Sequence, residues 1–363
     1  IGQSACATAG NTVSIGIAAK STAACAITMG SASTNFPGAT GTIVLGNSSV
    51  GGTGACNSVV IGNSANATKC NTTLIGQSVC SDQAKTVVIG NGSCSLLGGG
   101  GSDVGYGAVV IGDRVRSLGN GNNATYANVA VGSNLTIGAS PINPDIIYGS
   151  TITTCNNNAG GNVGIGWDIN ICNQYNGVLI GSYSCINGGD RAIAIGQGNR
   201  ACGGGNDLIV IGQYSKALAE GAIAIGRGSC STLDSGIVLG NFACSTNACS
   251  VALGYGITTE KNNTTHVQSL IAYGQAASKA NAIGSTGTAI AVNWDNSNVQ
   301  TLTITASGTL TMSNPIDGGV YTLQITQGGG LKITGGFSGD YGSDLALASY
   351  SSVTKTFTFN VLL

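Results

Sequence analysis

The stretch SVVIGNSANA, residues 58–67, decides the fold because the same phrase recurs along most of the chain. Its first residues favour an extended strand, Gly62 then turns the chain, and Ala65 and Ala67 resume an alternating pattern. Related phrases are TTLIGQSVCS at 72–81, TVVIGNGSCS at 86–95 and AIAIGRGSCS at 222–231. A strand and turn copied this often indicates a repeat architecture rather than a compact enzyme.

Glycines that follow an aliphatic residue mark the repeat. They are Gly2, Gly16, Gly30, Gly46, Gly62, Gly76, Gly90, Gly112, Gly132, Gly166, Gly181, Gly196, Gly212, Gly226, Gly240 and Gly254. Most intervals are 14 to 16 residues, which is too short for helical repeats and long enough for two short strands and two turns. The predicted unit is one coil of an all-β parallel β-solenoid. Roughly sixteen coils stacked about 4.8 Å apart would form a rod about 75 to 80 Å long.

The alternation in each strand predicts which residues face the core. The residue before each glycine is aliphatic, as in Ile61, and the residue two positions earlier is aliphatic as well, as in Val59, with Thr73 the one polar member. Both columns are therefore assigned to the core. Small residues follow the turn, and they are also assigned to the core: Ala5, Ala7, Ala65, Ala67, Ser93, Ser95, Ser229 and Ser231. The solenoid is therefore predicted to have a narrow, flattened cross-section, and glycine permits the tight turn of each coil.

The residue between the two aliphatic columns is then expected to face outward, yet it is often apolar. These residues are Val44, Val60, Leu74, Val88, Val110, Leu179, Val210 and Val238. A strand that is apolar on both faces is normally buried on both, so this column is predicted to form the contact of a parallel homotrimer. The alternative is that it reflects only strand propensity at a solvated position.

Composition excludes several functional classes. The 363 residues include 60 Gly and carry a net charge of −1, so electrostatic capture of nucleic acid is not expected. There is no run of 18 apolar residues, which argues against membrane insertion. The 14 acidic residues are scattered, whereas a glycoside hydrolase needs paired carboxylates in a groove. The chain opens inside a repeat and without Met, so we expect it to be part of a longer protein.

The cysteines do not form a metal or catalytic motif. There are 13 of them without any C-x-x-C spacing, and His266 is the single histidine, so no catalytic residue, metal or cofactor is predicted. Most are expected to be free thiols packed as small hydrophobes. The pairs Cys80 with Cys94 and Cys230 with Cys244 should stack on adjacent coils, but their parallel Cβ directions are expected to disfavour bonding.

The phrases NSVVIGNSANA at 57–67, RAIAIGQGNRA at 191–201 and EGAIAIGRGSCS at 220–231 resemble the head repeats of trimeric autotransporter adhesins. The resemblance covers about residues 1–256. It implies a left-handed parallel β-roll that trimerises side by side. Such rolls occur in bacterial adhesins and in viral fibres, so the resemblance alone leaves the function open.

The glycine spacing breaks between Gly90 and Gly166, which predicts insertions at about 91–165. Insertions in a solenoid map to surface loops, and such loops often carry recognition. The receptor-contact candidates in or beside them are Tyr106, Tyr126, Tyr148 and Trp167. The alternative is that these rings merely cover a loop or fill the centre of the trimer.

Past residue 256 the coil spacing ends, and 257–288 is predicted to be a neck or linker. Longer alternating strands follow, and they predict a small antiparallel β-sandwich over 289–363 that acts as a cap or a binding tip. The stretch VNWDNSNVQTLTITASGTLTMSNPIDGGVYTLQITQGGG resembles a module near the C-terminus of phage tail and fibre proteins. Trp294, Asn314, Pro315 and residues 321–327 carry that likeness.

The sequence thus predicts an attachment fibre rather than an enzyme, located on a virion as a phage or virus tail fibre. The expected partners are two further copies of the chain, other tail proteins of the virion, and a host cell-surface receptor that is a glycan or a protein. The alternative is the head of a bacterial trimeric surface adhesin, located on the cell surface.

Overall fold

A computed structural model describes residues 1–98, 107–120, 128–140, 145–155, 161–172, 175–269, 279–286, 288–306, 308–314, 320–327, 333–334 and 353–360. The chain forms two compact units, Ile1–Ser269 and Leu270–Leu363. All the regular secondary structure in the described residues is β, as predicted.

The first unit consists of short strands. They are β1 (Cys6–Ala7), β2 (Val13–Ile15), β3 (Lys20–Ser21), β4 (Ile27–Met29), β5 (Thr34–Asn35), β6 (Ile43–Asn47), β7 (Val50–Gly51), β8 (Val59–Asn63), β9 (Asn66–Ala67), β10 (Thr73–Gln77), β11 (Cys80–Ser81), β12 (Val87–Asn91), β13 (Cys94–Gly98), β14 (Val109–Asp113), β15 (Arg116–Asn120), β16 (Val129–Ser133), β17 (Thr136–Ser140), β18 (Ile146–Cys155), β19 (Val163–Cys172), β20 (Val178–Ser182), β21 (Cys185–Asn187), β22 (Ile193–Gln197), β23 (Arg200–Cys202), β24 (Ile209–Gln213), β25 (Lys216–Ala217), β26 (Ile223–Arg227), β27 (Cys230–Ser231), β28 (Ile237–Leu239), β29 (Cys244–Ser245), β30 (Val251–Leu253) and β31 (Thr265–Val267).

Each strand of this unit pairs in parallel with the equivalent strand one coil later, which confirms the predicted parallel β-solenoid. Val60 of β8 lies beside Leu74 of β10, and Leu74 lies beside Val88 of β12. The shorter strands stack in the same way, with Ala67 of β9 beside Ser81 of β11. The backbone hydrogen bonds therefore run along the axis from coil to coil.

The aligned glycines are required for two reasons. Gly62 has φ of +146°, a conformation that residues with a side chain rarely adopt. A Cβ atom on Gly62 would also overlap the carbonyl oxygen of Gly76 in the next coil. The same clash with the following glycine recurs from Gly2 to Gly240, so the turn admits no side chain.

The predicted orientation of the strands was wrong. The eight residues assigned to the trimer contact are fully buried within their own chain: Val44, Val60, Leu74, Val88, Val110, Leu179, Val210 and Val238. The columns assigned to the core face outward instead; Leu74 has no exposed surface, whereas its neighbour Ile75 is 38% exposed. The eight residues therefore cannot contact another chain, and the outward apolar face belongs to the residues one and three before each glycine.

Side-chain volume explains this inversion. The small residues after the turn do face the core, since Ala65, Ala67, Ser93 and Ser95 are buried as predicted, although Ala7 of the first coil is exposed. Because these side chains are small, the strand opposite them can approach closely, and the space between the two strands is narrow. That space has room for one column of valine, alanine or leucine and lacks room for two columns of isoleucine. Where β19 carries the larger buried Ile169 and Ile171, the opposite position is Gly164.

Buried serines join the coils at the glycine turn. The Ser49 hydroxyl donates to the Gly62 carbonyl oxygen at 2.8 Å and accepts from the Ala65 amide at 3.2 Å. Ser93 repeats this pattern with Gly112 and Val115. The hydroxyl replaces a strand partner where the turn interrupts the ladder, so these buried amides stay satisfied.

The region at about 91–165 that was predicted to hold insertions contains a further regular coil. Residues of β18 align with both neighbours, so that Gly149 lies beside Gly132 and beside Gly166. The spacing was misjudged because Tyr148 occupies the aliphatic position before this glycine. Stacking also continues past the predicted end of the roll at 256, since β31 pairs with β30.

Three disulfides connect adjacent coils: Cys56–Cys70, Cys80–Cys94 and Cys155–Cys172. The expectation that Cys80 and Cys94 would not bond was wrong. Their Cα atoms are 4.6 Å apart, and rotation about χ1 turns sulfurs on parallel Cβ vectors toward each other. Seven cysteines are free, namely Cys6, Cys25, Cys185, Cys202, Cys230, Cys244 and Cys249.

The second unit contains two sheets. Its strands are β32 (Asn281–Thr286), β33 (Ala289–Asn293), β34 (Val299–Ile304), β35 (Gly308–Ser313), β36 (Val320–Gln327), β37 (Ile333–Thr334) and β38 (Val353–Asn360). Strands β32, β34, β36 and β38 form one sheet, and β33, β35 and β37 form the other. Buried residues that include Ile290, Leu302, Leu310 and Leu323 form one core.

The antiparallel sandwich predicted for this unit is corrected by the strand directions. Pairing is parallel throughout these strands except between β36 and β38. Successive strands alternate between the two sheets, so each next strand of the same sheet arrives after a full turn and runs in the same direction. Alternation of polar and apolar residues does not encode that direction.

Candidate functional site

The turns of the roll carry a row of exposed aromatic side chains. We call the glycine edge the line formed by each aligned glycine and the two residues after it. In the C-terminal half of the roll this edge holds five aromatic residues, all between 49% and 67% exposed: Trp167, Tyr183, Tyr214, Phe242 and Tyr255. At about 4.8 Å per coil, the six steps from the coil of Trp167 to that of Tyr255 span about 29 Å.

Neighbouring rings of the glycine edge pack against each other. Trp167 and Tyr183 meet edge to face with ring centroids 4.8 Å apart. Phe242 and Tyr255 meet in the same way at 5.9 Å, and the Arg227 guanidinium carbon lies 5.5 Å from the Phe242 ring centroid. Such contacts restrain the rings while leaving much of their surface in solvent, which favours a preorganised binding surface.

Three of these aromatic residues stand at a left-handed turn position that recurs from coil to coil. Tyr183, Tyr214 and Phe242 have φ of 52°, 56° and 56°, in the left-handed region. Other coils place glycine, serine, alanine and larger residues at the same position with a left-handed backbone, as at Gly198, Ser64 and Arg114. The left-handed turn is therefore a regular feature of the coil, and the three aromatic residues differ from the other coils in their large exposed rings.

Two of the rings lie against glycines of the preceding coil. A Cβ atom on Gly198 would collide with the Tyr214 ring, and one on Gly228 would lie 2.9 Å from Cδ1 of Phe242. Each of these glycines holds the same coil position as the ring that covers it. The glycine therefore leaves room for the ring to lie along the edge.

Amide groups fill the edge between the aromatic pairs. Gln197 and Gln213 are register partners, and Gln213 Nε2 donates to Gln197 Oε1 at 2.8 Å. Arg227 follows Gln213 in the same column. The site therefore combines aromatic faces with amide and guanidinium hydrogen-bonding groups and has little charge.

The predicted receptor-contact residues are not brought together into one site. Trp167 lies on the glycine edge, but Tyr148 stands among the outward aliphatic residues, where it lies beside Val131 and Ile165. Tyr106 and Tyr126 fall outside the described residues. Sequence reasoning missed Tyr183, Tyr214, Phe242 and Tyr255, although an aromatic residue one or two positions after an aligned glycine is a usable signal.

A second surface runs along the roll. We call the outer isoleucine face the two columns of residues one and three before each aligned glycine. Most members are half-buried, and several exceed 36% exposure, including Met29, Ile75, Ile165, Ile195 and Leu239. The columns continue through successive coils, and a continuous apolar patch of this kind is typical of a protein interface.

The titratable groups of the roll are few and mostly exposed. The Arg191 guanidinium donates two hydrogen bonds to the Asp207 carboxylate, at 2.6 and 2.9 Å, and these bonds lower the pKa of that carboxyl group. In the part of the chain that the structure describes, no cluster of three or more His, Cys, Asp or Glu side chains could hold a metal ion. None of the described segments is a helix of the length and hydrophobicity needed to cross a membrane.

Comparison of the sequence with protein-family models finds no match, and comparison with curated proteins also finds none.

Proposed function

We propose that the chain is a segment of a homotrimeric attachment fibre, carried on a virion as a phage or virus tail fibre, that presents its glycine edge to a receptor on the host cell. A β-solenoid of this length is compatible with a fibre or adhesin role. The observation that carries the proposal is the row of exposed aromatic side chains on the glycine edge. Serine occupies the same left-handed position in other coils, so the turn itself does not require these rings, and we explain them by binding.

The glycine edge fits a carbohydrate receptor best. Aromatic faces pack against the apolar faces of sugar rings, and amide groups such as those of Gln197 and Gln213 donate and accept hydrogen bonds with hydroxyls. The edge is also linear and carries little charge, which suits an extended neutral polysaccharide better than a compact charged ligand.

The outer isoleucine face supports the trimer. A strip about 75 Å long and about 10 Å wide has an area of about 750 Å² per chain, close to the roughly 800 Å² that each partner contributes to a standard protein interface. Contact between these faces of neighbouring chains would stabilise the assembly in water because it removes apolar surface from solvent. The trimer contact is thereby reassigned from the buried valine column to this face.

The resemblance of the second unit to tail and fibre modules supports the virion assignment. Trp294 and Tyr321, which carry that likeness, are buried and pack together with ring centroids 4.7 Å apart. They are therefore core residues, so the likeness bears on the fold of this unit and leaves receptor contact to other surfaces.

The binding role can be tested with the triple variant Tyr183→Ser, Tyr214→Ser and Phe242→Ser. Serine already occupies this position at Ser48, Ser64 and Ser78 with φ of 53° to 57°, so the variant should fold. We expect the parent chain to bind immobilised bacterial surface polysaccharides on an array and the variant to lose at least tenfold in affinity. Phe36→Ser is the matched control, because Phe36 is 40% exposed and lies off the glycine edge.

Equal binding by the parent and the triple variant would contradict the role of the glycine edge. The virion assignment is tested separately by electron microscopy of particles labelled with an antibody to this chain. Label on bacterial surfaces and not on virus particles would favour a surface adhesin instead.

A further inference from the structure

Cysteines of adjacent coils recur as axial pairs. Each of the three disulfides joins residues 14 or 17 apart in sequence, which is the length of one coil. Two further pairs are free, Cys185 with Cys202 and Cys230 with Cys244. These two free pairs differ in a way that decides which of them can bond.

Cys230 and Cys244 occupy the same place in the coil as the bonded Cys80 and Cys94. Each of the four follows its aligned glycine by four residues, and both pairs are direct register partners of neighbouring parallel strands. The residue after each cysteine is serine, and these serines are paired and buried as well. Register partners place their Cα atoms about 4.8 Å apart, within the range that a disulfide spans.

Cys185 and Cys202 are out of register. Cys185 pairs with Arg200, and Cys202 pairs with Asn187, so the two cysteines are offset by two residues along their strands. Their sulfurs approach to 3.6 Å, but this offset carries the Cα atoms beyond the range of an unstrained disulfide. The contact between the sulfurs of Cys185 and Cys202 is therefore not enough for a disulfide, because the two cysteines are not register partners.

We propose that Cys230 and Cys244 form a fourth axial disulfide, which links the coil that carries Arg227 to the coil that carries Phe242. The reaction needs an oxidant of the small-molecule disulfide class. One cysteine thiolate attacks the oxidant disulfide and releases one small thiol. The second cysteine thiolate then displaces the other small thiol, so two protein thiols are oxidised and two small thiols are produced.

The surroundings of the pair indicate which sulfur reacts first. Burial, followed by a hydrogen bond with Cys230, raises the pKa of Cys244 to about 12, so Cys244 stays protonated at neutral pH. Cys230 pairs in register with Lys216 of the preceding coil. We therefore assign the first attack to Cys230 and the closing step to Cys244.

The test uses the purified full chain treated with glutathione disulfide. Remaining thiols are alkylated, the chain is cleaved at Asp234, which separates the two cysteines, and the peptides are identified by mass spectrometry without reduction. We expect Cys230 and Cys244 in one linked peptide pair and no link between the peptides of Cys185 and Cys202. A Cys249→Ser variant is the matched control, because Cys249 shares a peptide with Cys244, and the link should survive it.

Two results would overturn the proposal. One is alkylation of both Cys230 and Cys244 in a digest that still contains the Cys80–Cys94 link. The other is a link from either cysteine to Cys249 that disappears in the Cys249→Ser variant.

Discussion

The Tyr214 ring lies against Gly198, the residue that holds the same position one coil earlier. Both residues have left-handed backbone, with φ of 56° and 67°. The ring can lie along the edge only because residue 198 has no Cβ atom. One aromatic residue of the proposed site is thus oriented by a glycine of the neighbouring coil.

This relationship predicts different costs for two glycine substitutions. Gly256→Ala, at φ of 66° with nothing near the added Cβ, should lower the free energy of unfolding by about 1 kcal/mol through backbone strain alone. Gly198→Ala, at φ of 67°, should cost about 1 kcal/mol more because the Tyr214 ring must move. Denaturant unfolding of both variants at one protein concentration measures the difference.

The extra cost at Gly198 should disappear in a Tyr214→Ser background, where no ring remains to be displaced. An extra cost that persists without the ring would show that the collision lies elsewhere.

The aligned glycines should be far less tolerant. Gly62→Ala combines φ of +146° with a collision against the backbone of Gly76, which has no flexible atoms to give way. We expect a loss of about 3–5 kcal/mol or failure to fold. Gly10→Ala is the control, because nothing lies within 4 Å of its added Cβ, and it should change stability by less than about 0.5 kcal/mol. Thermal unfolding followed by circular dichroism would decide between these outcomes.

Much of the fold could be predicted from the glycine spacing, and the reasons for the failures are specific. Alternation identifies two faces of a strand but does not say which is inside. Which face is buried depends on the core volume between this strand and the strand opposite it, which carries small buried residues such as Ala65 and Ser93. The alanines that replace valine in the central column, such as Ala194 and Ala224, were the available clue, since a narrow core selects small side chains.

The site was harder to predict than the fold. The receptor contacts were predicted to lie in irregular segments. Tyr148, one of the predicted residues, instead occupies a regular strand position that pairs with Ile165. The packing of Tyr183 on Trp167 and of Phe242 on Tyr255 depends on the stacking of coils, and a repeat alignment contains only their positions after the glycine. Pairing direction in the second unit likewise depends on which sheet receives each strand.

Adjacent residues of β10 test the corrected orientation. Leu74→Asp places a charge in the closed core and should abolish folding, because Leu74 has no exposed surface. Ile75→Asp should leave the β-sheet circular dichroism of the chain intact and weaken its association, because Ile75 belongs to the outer isoleucine face. We expect the wild-type chain to sediment as a trimer. A variant with Ile75→Asp, Ile89→Asp and Ile211→Asp should dissociate.

A wild-type chain that sediments as a folded monomer would contradict the trimer. An Asn63→Asp control adds a charge at an exposed position away from the face and should leave sedimentation unchanged.

Cys202 should be the most reactive free thiol near neutral pH. A hydrogen bond with Cys185, assisted by Arg200, lowers the pKa of Cys202 to about 6, while the same contact and burial raise the pKa of Cys185. The thiolate is the nucleophile, so alkylation of Cys202 by iodoacetamide should be fast at pH 7 and slow as the pH falls through 6. Arg200→Gln and Cys185→Ala should each shift this profile to higher pH, because each removes a group that stabilises the thiolate. Peptide mapping of alkylation rates gives the profile for each cysteine, with the exposed Cys25 as the internal reference. Identical profiles for Cys202 and Cys25 would show that the Cys185 contact and Arg200 do not activate the thiol.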